Sequence, residues 1–102
     1  MVQINWSIQA NEDLKDMAQY ISKDSRQYAK RQVRKIKDRV KILKSHLRAG
    51  KMTPEFENEK VRELVEGNYR IIYYISNEKR IDILTVHHGA RALNRKNIEG
   101  IN

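Results

Sequence analysis

Apolar and polar residues alternate from Val2 to Ser7, with Val2, Ile4 and Trp6 set against Gln3, Asn5 and Ser7. That is the period-2 pattern of a strand buried on one face. Ser7 or Asn11 then offers a side-chain oxygen to cap a helix, and Glu12 and Asp13 suit the positive end of its dipole. Ala10, Leu14, Met17, Ala18 and Ile21 follow the helical period, and Ser22 to Ser25 supplies a break and a second cap. The next helix carries Ala29, Val33, Ile36, Val40, Leu43 and Leu47, whose alternating spacings of 4 and 3 draw one narrow apolar stripe. Gly50 is expected to end it. So short a turn between the two helices predicts an antiparallel helical hairpin.

Lys51 to Lys60 reads as a polar loop holding the only proline, Pro54, with Glu55, Glu57 and Glu59. Strand patterns follow. Val61 to Val65 is the first, Glu66-Gly67-Asn68 the turn, Tyr69 to Ser76 the second, Asn77-Glu78-Lys79 another turn, and Arg80 to Val86 the last. Tyr69 to Ile75 is apolar or aromatic at six of seven positions, as a central strand covered on both faces requires. Gly89 breaks the run. The polar stretch from Arg91 onward, weakly anchored by Leu93 and Ile98, reads as a short helix and a tail from about residue 94. The order β-α-α-β-β-β predicts one α+β domain over residues 1–102, with a helical hairpin packed on a mostly antiparallel four-stranded sheet.

Charge changes this picture more than composition does. The 102 residues are 39% hydrophobic and 33% charged, which suits a globular chain and excludes a disordered one. Net charge is +8, and it is concentrated. Between Arg26 and Arg48 ten basic residues face one acid, Asp38, so the remainder is close to neutral. The second helix is therefore a cationic rod with a field suited to nucleic acid, an acidic protein segment or an anionic surface. The longest apolar run, Ile71 to Ile75, is far too short to span a bilayer, and the first residues lack the pattern of a secretion signal. A cytoplasmic protein without a membrane partner is expected.

Much chemistry is excluded. Without cysteine there is no disulfide, no thiolate metal site and no cysteine nucleophile. There is no glycine-rich phosphate loop and no G-x-S-x-G. Of the three histidines, His87 and His88 are adjacent on a strand and point to opposite faces, so no metal and no cofactor is expected. What remains is a set of cations near the sheet. Arg70 shares a strand face with Ile72 and Tyr74, opposite Tyr69, Ile71 and Tyr73. It must find an anion or reach an open face. Arg62, His88 and Arg91 could converge with it around a phosphodiester, with His88 moving a proton near neutral pH. The alternative is that Arg62 and Arg70 pair with Glu63, Glu66 or Asp82 across strands and that His88 is a turn residue. Both readings of Arg70 and Arg91 stand open at this point.

Trp6-Ser7 with Ala10 and Asp13-Leu14, then Arg62-Glu63-Leu64, Gly67-Asn68-Tyr69-Arg70-Ile71-Ile72-Tyr73 and Val86-His87-His88-Gly89-Ala90-Arg91, resemble the RelE/ParE superfamily of bacterial type II toxins. The resemblance runs from about Val2 to Leu93, and its element order is the one derived above. It implies one of two activities. RelE-like members cleave messenger RNA in the ribosomal A site without a metal, whereas ParE-like members poison DNA gyrase and need no nuclease chemistry. The nuclease branch usually adds lysines before the Tyr-Arg strand, or a Glu-His-Tyr arrangement, and often a catalytic tyrosine near the C-terminus. Here no lysine lies between Lys60 and Tyr69, and no tyrosine follows Tyr74. The Arg-Glu-Leu and His-Gly-Ala-Arg blocks look more like the ParE branch. The resemblance thus implies a non-enzymatic gyrase inhibitor neutralised by a cognate antitoxin, with operator DNA contacted only through that antitoxin. Arg31, Arg34, Lys35, Arg39, Arg62, Arg70 and Arg91 would belong to its partner-binding surface. A RelE-like nuclease with Arg70, His88 and Arg91 around the phosphate is the alternative. A basic nucleic-acid-binding module is the third reading.

Overall fold

The computed structural model describes residues 2–89; Arg91, the expected C-terminal helix and the tail lie outside them. The elements are β1 (Gln3–Trp6), α1 (Ile8–Ser22), α2 (Arg26–Val40), β2 (Lys51–Met52), β3 (Val61–Glu66), β4 (Tyr69–Asn77) and β5 (Arg80–His88). One mixed sheet runs in the order β1-β5-β4-β3-β2, with β1 parallel to β5 and every other pair antiparallel. The α+β class and the helical hairpin on one face are as the periodicity implies.

Each helix begins where a serine can satisfy its free N–H groups. The Ser7 hydroxyl accepts from the Ala10 N–H at 3.0 Å, and that of Ser25 from the Tyr28 N–H at 3.1 Å. Asp13 does not serve the helix end as expected. Its carboxylate reaches across to β5, accepting from the Thr85 hydroxyl and from the Val86 N–H at 3.0 Å. α1 is thereby tied to β5, while α2 lies over β3.

The hairpin buries Leu14, Met17, Ile36 and Val40 against Leu64, Ile71, Tyr73, Ile75, Ile81 and Ile83 of the sheet. A second, smaller core occupies the opposite face, where Phe56 from the 53–60 loop covers Val61, Ile72 and Leu84. Ile72 points into it because β4 is the central strand, with loop on one side and helices on the other. A bulge between Ile72 and Tyr73 lets β5 place Leu84 in that small core and still aim Thr85 at Asp13.

Two expectations are corrected. The second helix does not run to Gly50: the α-helix stops at Val40, a 3₁₀ turn carries Lys41–Lys44, and Leu43 and Leu47 reach the core from that tightened backbone and the loop beyond it. Gly50 instead lies against the sheet, where a Cβ would come within 2.5 Å of the Glu63 carbonyl oxygen and 2.8 Å of the Tyr73 ring. The Tyr73 hydroxyl explains the closeness, accepting from the Gly50 N–H at 2.9 Å and donating to the Leu47 carbonyl at 2.8 Å. The sheet also has five strands, not four. β2 is two residues long, paired with Arg62 and Glu63, too short to leave a periodic signal. The β3–β4 turn needs its glycine: Gly67 has φ +60° and is the one described residue in the left-handed region.

Candidate functional site

Two surfaces carry the chemistry, one on each side of the sheet. On the face away from the helices, Arg70 of β4 stands between two carboxylates. From the neighbouring strand, Glu63 accepts from Arg70 Nε at 2.6 Å and from Nη2 at 3.2 Å. From the loop, Glu55 accepts from Nη1 at 2.7 Å and from Nη2 at 2.8 Å. Four of the five guanidinium N–H donors are thus spent in two bidentate pairs. The Glu63 side chain is 4% exposed and that of Arg70 16%, whereas Glu55 at the rim is 32% exposed. The Arg70 hydrogen bonds hold the Glu55 carboxyl below its ordinary range, and the two carboxylates hold Arg70 still more firmly protonated.

The sheet separates the other expected site residues from this cluster. His88 is the cross-strand partner of Tyr69 and meets it edge to face at 5.4 Å. It lies on the helix side, in a recess of about 510 Å³ shared with Asp13, Asp16 and Tyr20. His87, opposite Arg70 in the ladder, takes the other face. Arg62 also sits on the helix side of β3. It finds backbone, not a cross-strand carboxylate: Nε donates to the Glu59 carbonyl and Nη1 to the Gly50 carbonyl, both at 2.9 Å. Arg70, His88 and Arg62 are therefore not brought together. Arg91 lies outside the described residues.

The second surface is the outside of the hairpin. Ala18 of α1 with Ala29 and Val33 of α2 floor an open groove of about 910 Å³. Its rim carries Arg26, Lys30, Arg34, Lys37 and Lys41, cations at spacings of 4, 4, 3 and 4, with Asp38 among them paired to Lys41 at 3.2 Å. Of the residues expected to bind a partner, Arg34 belongs to this rim. Arg31, Lys35 and Arg39 form a second row on the same helix, where Arg39 Nε reaches the Val65 carbonyl of β3 at 3.4 Å. The groove rim was missed, although its signal was available: the helical spacing of the bases themselves marks it, as the spacing of apolar residues marks the core. Glu55 was missed as a partner of Arg70 for a different reason, since an aperiodic loop carries no register. Among the described residues no group of three metal-ligating side chains converges, and no helix is long and apolar enough to cross a membrane.

Comparison with known proteins places the chain in a family. Residues 4–93 match a family model described as the ParE toxin of the type II toxin–antitoxin system, parDE. Among solved structures, the chain is similar to the chromosomal ParDE toxin–antitoxin system from P. aeruginosa, at 24% identity and a TM-score of 0.71, covering 86% of this chain and 96% of that one. Two structures of the YoeB–YefM toxin–antitoxin complex from Staphylococcus aureus, one described as heterotetrameric, align at 18% identity and a TM-score of 0.55, covering 86% of this chain and 97% of theirs. At these identities the structural likenesses establish the fold. No curated protein sequence gives a significant match.

Proposed function

Because this chain belongs to the ParE toxin family of type II toxin–antitoxin systems, we propose that it inhibits growth by binding DNA gyrase, without nuclease chemistry, until a cognate antitoxin masks it. The observation that carries this reading is the closure of Arg70 by Glu55 and Glu63. Cleavage of RNA by its own ribose hydroxyl needs a base, an acid and a free cation at the phosphorane. Here the best-placed cation is already neutralised, and His88 stands on the other side of the sheet. The chain also lacks the lysines and the late tyrosine of the nuclease branch.

The hairpin groove supports the second half of the proposal. An apolar floor rimmed by five cations fits an amphipathic acidic helix that orders as it binds. We assign this groove to the antitoxin, a reading supported by the solved structures to which the chain is similar, which are toxin–antitoxin systems. Operator DNA is then reached through the complex, not by this chain alone.

The deciding experiment is a supercoiling assay with purified gyrase and a titration of the folded protein. Inhibition, or trapped cleaved DNA, at near-stoichiometric protein is expected, and Arg70→Lys is expected to retain it. Absence of any gyrase effect, together with ribosome-dependent messenger-RNA cleavage that Arg70→Lys abolishes, would replace this reading with the nuclease one.

A further inference from the structure

Glu63 alone would neutralise the charge of Arg70. It supplies a bidentate carboxylate from the adjacent strand, and a buried pair of that geometry is balanced in charge without a third member. Glu55 is in excess of that need, and it comes from the loop, not from the sheet. With both acids ionised, the cluster carries one net negative charge on a protein whose total is +8. Two carboxylates on one guanidinium place their oxygens where the oxygens of a phosphoryl group would otherwise dock, since a guanidinium fork holds either anion with the same pair of parallel N–H donors. The outer carboxylate is also the one whose removal would open the seat to solvent, because Glu55 is at the rim while Glu63 lies beneath Arg70.

We propose that Glu55, backed by Glu63, is an exclusion device: it occupies the oxyanion seat of Arg70, so that this face of the sheet rejects the phosphate backbone of single-stranded RNA. Phe56, seated in the small core beside the strand, anchors the loop so that the carboxylate is held in place and not merely nearby. His87 faces the same cluster from β5, opposite Arg70 in the ladder. The proposal is independent of the cellular target, because it concerns which ligands this face refuses.

The test compares the wild-type protein with Glu55→Ala and with the double variant E55A/E63Q, in which the glutamine keeps the buried shape. Inorganic phosphate is titrated at constant ionic strength while the Arg70 Nε–Hε resonance is followed by NMR. Binding of a labelled single-stranded oligoribonucleotide is measured by anisotropy. In the wild type the Arg70 resonance is expected not to respond to phosphate. In E55A/E63Q it is expected to shift and saturate, with RNA bound about tenfold tighter, as freed charge-assisted donors imply. Adding Arg70→Lys should remove that gain. A folded double variant whose Arg70 ignores phosphate overturns the proposal, as does a gain in RNA affinity that survives Arg70→Lys. If the double variant fails to fold, E55A alone decides, with a smaller phosphate response at Arg70 expected and its absence fatal. No arm of the test involves gyrase, so the two readings fall separately.

Discussion

Arg70 links stability to chemistry at a single residue. Its removal strands Glu63, whose side chain is 4% exposed, in a site that cannot hydrate a carboxylate. Arg70→Met is therefore expected to cost about 3 kcal/mol, the usual penalty for orphaning one member of a buried pair. Glu55→Ala, at the rim, should cost only about 1 kcal/mol. Urea denaturation of both variants tests the contrast. The pH dependence has a definite sign. The Glu55 carboxyl titrates below its ordinary 4.5 in the folded protein, so its contribution is complete above that value and is lost as pH falls through the folded pKa. Stability followed from neutral pH into acid should thus decline less steeply in Arg70→Met than in the wild type. The face of Arg70 was legible in the sequence, because strand alternation assigns it without ambiguity. Its closest outside partner was not, because Glu55 is 15 residues away in a loop whose backbone has no period.

The elements show the same division. Caps, apolar stripes and hairpin turns are local, and the helix starts at Ser7 and Ser25 were readable as they stand. The stop of α2 was not, because the apolar spacing continues through the 3₁₀ turn and only the tertiary contacts distinguish the two. β2 escaped because two residues cannot display alternation. Asp13 looks like a helix-end residue, and Gln9 of the same helix does donate to it, yet its other two partners are 72 and 73 positions further on. This difference is measurable. Ser25→Ala should cost about 1 kcal/mol, as loss of an exposed cap does. Asp13→Ala should cost about 2–3 kcal/mol, because it removes charged hydrogen bonds and leaves the Val86 N–H and Thr85 hydroxyl without their acceptor. Faster amide exchange at Val86 in that variant, with α2 unaffected, would identify the cause as the lost tie between α1 and β5.

Across the whole molecule, charge is partitioned by the sheet. Cations line α2 of the hairpin, while the 53–60 loop on the far side holds Glu55, Glu57 and Glu59. A partner that is both acidic and amphipathic should therefore approach from the helices, steered by the field and then held by the apolar floor. The triple reversal Lys30→Glu, Arg34→Glu, Lys37→Glu is expected to weaken antitoxin binding at least tenfold and to flatten its dependence on salt. Folding stability should change by less than about 0.5 kcal/mol per site, since the three side chains are exposed. Titration of the variant and the wild type at two ionic strengths separates the two effects. One further property follows from the parallel pairing of β1 with β5, in which Gln3 meets Arg80 and Trp6 meets Ile83. β1 must wait for β5, at the other end of the described residues, so the sheet closes only once β5 has been made. An incomplete nascent chain lacks both the partner strand of β1 and the β5 donors, the Thr85 hydroxyl and the Val86 N–H, from which Asp13 accepts, so a chain that stops short of β5 cannot seat α1 on the sheet.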